Sequence, residues 1–137
     1  DYQPGGWWGL FYPKLFAPLV GLDSHLVLVD HLNGRISCFS LQGDSLRQIP
    51  FHHHKQKSWE KTFLFDPVTG RGYTSFREKG GTLIVELNLQ TGLLGEGLII
   101  PFSFFEKIKV YDGELYLLYW HPGRGERHKI LYRVRLK

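Results

Sequence analysis

Among its 137 residues the sequence has one cysteine, Cys38, and no methionine. A single thiol excludes an internal disulfide and any cysteine-rich metal centre. Cys38 sits in a strand-like apolar run, where a thiol serves as a small buried hydrophobe. The absence of methionine implies that the translated start lies elsewhere, so the expectation is a processed chain or a piece of a longer one. No apolar run reaches the roughly 18 residues of a membrane-spanning helix. Residues 7–20 come nearest, but Pro13, Lys14 and Pro18 interrupt them, and no basic segment precedes them as in a signal peptide.

Catalytic signatures are also scarce. There is no Gly-x-Ser-x-Gly elbow, no His-Glu-x-x-His and no Walker phosphate loop. A mid-strand cysteine with no histidine at local spacing is a poor nucleophile. Asp30, Asp66, Asp112 and Glu106 could act as carboxylate pairs only across space. Asp66 and Asp112 fall in turns, where bonds to local backbone account for them, and a structural role is expected for Asp30. Seventeen Lys and Arg against thirteen Asp and Glu leave a charge of +4. That excess suits mild attraction to anions, but without a basic stripe or recognition motif it predicts no nucleic-acid partner.

What the chain does have is short runs of Val, Ile, Leu, Phe and Tyr, separated by many of its 16 glycines and seven prolines. Aromatics reach 15%. Such runs favour pleated sheet, and the glycines and prolines mark turns between them. Periodicity is two or continuous, not helical. A strand over 26–32 is followed by Asn33-Gly34, a pair suited to a type I′ hairpin. Residues 35–41 return, Gln42-Gly43-Asp44 turns, and 46–51 follow. The grammar repeats: 62–65, the turn Asp66 to Gly70, 72–77, Gly80-Gly81, 82–89, Gln90-Thr91-Gly92 and 97–102. A third copy runs 105–111, Asp112-Gly113, 115–120, a loop over 121–129, and 130–136. Residues 15–22 supply the opening strand of the first copy.

Equivalent strands at 35–41, 82–89 and 130–136 are offset by about 47 residues, near the period of propeller blades. Ile-Pro-Phe recurs at 49–51 and 100–102. The expected fold class is all-β, with about three four-stranded antiparallel propeller blades, a partial or half propeller. The blades are placed at 14–51, 60–102 and 104–137, with an N-terminal arm at 1–13. The third copy has no fourth strand of its own; either residues 7–12 supply it or it is absent. Propellers usually have four to eight blades, so three leave open edges that must be covered. Further blades of a longer parent chain, or a homodimer closing the ring, would cover them. The isolated chain is therefore not expected to be a well-packed monomer.

The run from Leu26 through Val29-Asp30, Asn33-Gly34-Arg35-Ile36, Phe39 and Gly43 resembles an NHL-type propeller repeat over about one blade. The later part resembles the second half of secreted six-bladed propeller proteins common in Bacteroidetes. Residues 54–59, Asp66, Thr69-Gly70, 86–89, Thr91-Gly92, 105–108, Leu118-Tyr119 and Leu131-Tyr132 carry that likeness. It implies a secreted, periplasmic or cell-surface propeller, and it implies location and fold more than activity.

In a propeller, the loops between second and third strands and those between blades emerge on one face. Here these are 31–34, 52–59, 77–81 and 121–129, the most polar and basic pieces of the chain. Candidate ligand-binding residues are His52, His54, Trp59, Arg77, Trp120, His121, Arg124 and Arg127. The Trp rings would offer apolar platforms, and the Arg side chains forked donors for carboxylate or sulfate on a glycan or peptide. The plainer alternative is that these loops are simply solvated and the Trp rings pack between blades. His52-His53-His54 does not predict a metal, because neighbours on an extended segment point in alternate directions. No cofactor is expected. A non-catalytic binding or scaffold module is favoured over the alternative, part of a glycan-active hydrolase or lyase with its site in a central channel.

Overall fold

The computed structural model describes residues 16–122 and 127–136; of 121, 122, 127 and 128 only the backbone is described. The described chain is all-β, with one short 3-10 turn at His53–Lys55. Eleven strands form three antiparallel sheets in chain order. Sheet 1 is β1 (Leu19–Leu22), β2 (His25–Asp30), β3 (Arg35–Ser40) and β4 (Ser45–Pro50). Sheet 2 is β5 (Leu64–Phe65), β6 (Gly72–Glu78), β7 (Gly81–Leu87) and β8 (Leu94–Ile100). Sheet 3 has three described strands, β9 (Lys107–Tyr111), β10 (Glu114–Pro122) and β11 (Arg127–Arg135). Within each sheet every strand pairs with the next in sequence, the meander that short turns produce.

Alternation along the strands gives the sheets two different faces, and sheet 2 uses both. Leu87 and Leu89 pack with Val27, Val29, Ile36, Cys38 and Phe51 on the side of sheet 1. Tyr73, Ile84 and Ile100 pack with Val110, Leu115 and Leu117 on the side of sheet 3. Sheet 2 is therefore the middle layer, with a separate apolar core on either side. The opening strands of sheets 2 and 3, β5 and β9, lie next to each other. Cys38 is buried and free, as a small apolar side chain within the first core.

The longer turns at 42–44, 66–70 and 90–92 lie where the sequence places them; of the three two-residue corners, one follows the expectation and two depart from it. Asp112 and Gly113 both take positive φ, +50° and +75°, and Tyr111 faces Glu114, so this is the expected type I′ corner. Asn33-Gly34 is not: Asp30 pairs with Arg35, so four residues link β2 and β3, and only Gly34 has positive φ. The Asp30 carboxylate directs this wider turn by accepting from the backbone N–H of Leu32 and Asn33 and the Asn33 amide. Asp66 and Asn88 shape their turns in the same manner. The Gly80-Gly81 turn shifts by one residue: Glu78 pairs with Gly81, so Lys79-Gly80 turns the chain. Gly81 begins β7 where a Cβ would run into the Ile100 carbonyl oxygen.

Further boundaries differ: β8 runs Leu94–Ile100 where 97–102 was expected, and β5 and β9 each begin two residues late. The expected loop 121–129 is largely ladder, with Trp120 opposite Lys129, His121 opposite His128 and Pro122 opposite Arg127. The expected extended segment at 52–54 instead enters the 3-10 turn. The arm at 1–13 lies outside the described residues.

Candidate functional site

The connector between sheets 1 and 2, residues 51–63, builds the most chemically varied region. Its second half lies along β6 like an added edge. Arg77 N–H donates to the Ser58 carbonyl and Glu60 N–H to the Ser75 carbonyl, and Trp59 bridges Phe76. The Trp59 indole N–H donates to Thr74 Oγ1 at 2.7 Å, whose hydroxyl in turn donates to the Thr62 carbonyl. This relay fixes the ring plane. Trp59, Lys57, Ser58, Glu60 and Arg77 then line an open cleft of about 330 Å³.

Behind the indole lies a cluster of imidazoles and aromatics. His31 stacks on Trp59, with centroids 4.8 Å apart and planes at 17°. Phe16 and Phe51 flank His31 at 4.9 and 5.0 Å. His53 stacks on Phe51 at 4.6 Å and places its Nε2 atom 3.1 Å from that of His31. One ring must carry the shared proton and the other accept it. His54 closes the cluster, edge-on to Phe51 and against Gly34, where a Cβ would meet its ring at 2.8 Å. The positive φ of Gly34 and this close approach both require glycine there.

His31 and His53 are buried, and burial pushes each imidazole down to about 4. His54 adds to this in both cases, and His31 adds to the lowering of His53. Burial also lowers His54, helped by Lys55 and His52. The buried side-chain atoms without a hydrogen-bond partner among the described residues are Nδ1 of His31, His53 and His54, and Oε1 of Glu60. All four belong to this junction. Buried polar atoms are normally satisfied, so this is the region where the structure tolerates unmet hydrogen-bonding demand.

Of the residues singled out in the sequence, Trp59 and Arg77 meet in the cleft, while His54 packs behind it and His52 is exposed at the start of the 3-10 turn. Trp120 does not join them: it lies on sheet 3, beyond the middle sheet, 47% exposed, with Lys129 Nζ 4.9 Å from its ring centre. The backbones of His121 and Arg127 extend that same hairpin, and Arg124 lies outside the described residues. His31, His53, Lys57 and Glu60 were not among the expected site residues. The His31–His53 contact spans 22 positions and leaves no local pattern to read.

Chemically, the cleft offers a flat apolar ring, two cations and one carboxylate. That set can hold a polyhydroxylated or charged ligand through stacking and charge-assisted hydrogen bonds. It supplies no second carboxylate for paired acid and base work. Among the described residues, no group of three or more His, Cys, Asp or Glu side chains is arranged to hold a metal ion. No protein-family profile matches the chain, and no curated protein matches it either.

Proposed function

We propose that the chain is a non-catalytic binding or scaffold segment of a secreted or cell-surface β-propeller, recognising a glycan or peptide in the Trp59–Arg77 cleft. The observation that carries the reading is the stacking of three antiparallel meanders in chain order, with β5 beside β9. Consecutive blades of a propeller stack in that order, with their first strands adjacent around an axis. The NHL-like pattern in sheet 1 supports the same reading. So does the position of the cleft, on a connector between two sheets, where a rigid scaffold commonly presents its binding loops.

The single carboxylate of the cleft, Glu60, gives the hydrolase or lyase alternative no specific support. Ring completion comes either from further blades of a parent chain or from a second copy. Light scattering on the purified chain tests this part: a sharp monomeric mass together with a cooperative melt counts against an open arc that needs covering. A glycan and peptide array tests the ligand. The reading expects at least one binder that is lost in Arg77→Ala and Lys57→Ala, because both side chains are exposed and their removal spares the fold. An array with no binder overturns it.

A further inference from the structure

The outward face of sheet 3 differs from every packed face in the molecule. Ile108, Val110, Leu115, Leu117, Tyr132 and Val134 point toward sheet 2. The alternate positions point away, and the register arranges them in rows across the three strands. Lys107, Leu118 and Leu131 form one row; Lys109, Tyr116 and Arg133 form the next. Trp120 and Lys129 extend the face beyond the end of β9. Lys107, Lys109, Trp120, Lys129, Leu131 and Arg133 are all exposed. Arg135, opposite Glu114, instead lines a hollow with Tyr73, Glu86 and Glu96.

Two acids interrupt this field without cancelling it. Glu106 Oε1 lies 3.2 Å from Lys129 Nζ. Glu114 accepts from the Tyr116 hydroxyl at 2.9 Å and lies 3.8 Å from Arg133 Nε. Among the described residues Lys107 and Lys109 have no acidic partner within salt-bridge distance. Four cations against two acids leave the face positive.

We propose that this face binds a linear polyanionic glycan, one bearing carboxylate or sulfate groups along its length. A sheet packed here as sheets 1 and 2 are packed would take four cations and two acids out of water, at a cost that the small apolar area of Leu118 and Leu131 does not offset. The spacing suits an extended chain of separated anions. Lys107 and Lys109 are about 7 Å apart along β9, and Lys109 and Arg133 about 10 Å apart across two strand spacings. Sugar rings are apolar on one face and ringed by hydroxyls. Tyr116, Leu118 and Leu131 offer them apolar contact, and Glu106 and Glu114 offer acceptors. Nucleic acid fits less well: a single strand stacks successive bases on neighbouring rings, and the two exposed rings of this face, Tyr111 and Trp120, lie three rows apart, about 20 Å along β10. This surface belongs to a different sheet from the Trp59 cleft; a blade stacked on sheet 3 to close a ring would bury it, so the proposal holds for an arc that is not covered on this side.

The test is titration of the intact chain with polygalacturonate and with heparin, against neutral dextran and oligothymidylate, followed by fluorescence and calorimetry. Binding to a polyanionic glycan that weakens as salt is raised, with none to dextran, is the expected result. Lys107→Glu with Lys109→Glu and Arg133→Glu lowers affinity at least tenfold, and the matching Gln variants lower it less. Introduced into a Lys57→Ala, Arg77→Ala background, which removes the cations of the cleft, the triple Glu substitution still lowers affinity at least tenfold, which separates failure here from failure of the cleft. Unaltered melting curves keep the variants interpretable. Retained affinity in the triple Glu variant, equal affinity for oligothymidylate, or no binding of either glycan overturns the proposal.

Discussion

The two junctions between the three sheets are built from similar aliphatic cores but closed by opposite chemistry. At the junction of sheets 2 and 3, the wholly buried Asp66 carboxylate accepts from four backbone N–H groups: those of Val68 and Thr69 in its own turn, and those of Asp112 and Gly113 across the junction. Burial alone would raise this carboxyl. The hydrogen bonds from Gly113, Thr69 and Val68 outweigh that and hold it down to about 2. At the junction of sheets 1 and 2, neutral imidazoles share one proton and leave three ring nitrogens unmet. A buried charge that is fully hydrogen-bonded ties sheets together; buried neutral groups that are half satisfied leave a junction that can be opened.

The largest effect that would test this contrast is removal of Asp66. Asp66→Ala leaves four N–H groups without their acceptor and is expected to cost about 3–5 kcal/mol in urea denaturation. A loss under about 1 kcal/mol, the net worth of one ordinary hydrogen bond, would erase the difference between the junctions.

Next comes acidification. The folded histidines take protons less readily than the unfolded chain, so their contribution is whole above the ordinary 6.5 and drains away as pH falls toward about 4. A tenfold loss of proton affinity on folding is worth about 1.4 kcal/mol. Because the two rings touch, protonating one discourages protonation of the other. Asp66 behaves in the opposite sense of charge: its contribution is whole above the usual 3.8 and is lost only as pH falls toward about 2. Amide exchange followed from about pH 7 to about pH 5, above the ordinary carboxyl range, should therefore show residues 52–59 losing protection while 110–117 keep theirs. Simultaneous loss in both segments would contradict the contrast.

Smaller effects refine it. His53→Ala strands Nε2 of His31 and should cost about 1–3 kcal/mol at neutral pH. His31→Phe combined with His53→Phe removes both polar partners at similar shape, so it should be near neutral in stability at neutral pH and flatten the acid slope. Lys129→Ala, at an exposed ion pair, should change stability by no more than about 0.5 kcal/mol.

The meanders were readable in the sequence because period-two runs and glycine corners are local signals; β2, β3, β6 and β10 fall within a few residues of their expected places. Where the local signal was ambiguous, a side chain decided. Asn33-Gly34 could have made a two-residue corner, but the Asp30 carboxylate recruits two further residues into the turn. His52-His53-His54 suggested an extended stretch, yet burying the His53 ring against Phe51 and His31 winds it into a 3-10 turn. Trp59 and Arg77 stood out in the sequence because both flank turns, and they meet in the cleft. Glu60 and Lys57 acquire their place only when the connector lies along β6. The second role of Asp66 was hidden because its partners at 112 and 113 are 46 and 47 positions away.

The β10–β11 hairpin outruns its neighbour. β9 pairs with β10 only as far as Lys107 and Leu118, and Glu106 N–H adds one more bond to the Leu118 carbonyl. Beyond that point, among the described residues, β10 continues through Tyr119 to Pro122 with β11 on one side alone. The described sheet thus narrows from three strands to two in midcourse, leaving a step along β10. An extended peptide laid on that step would prolong the line of β9 and find its hydrogen-bonding register already set.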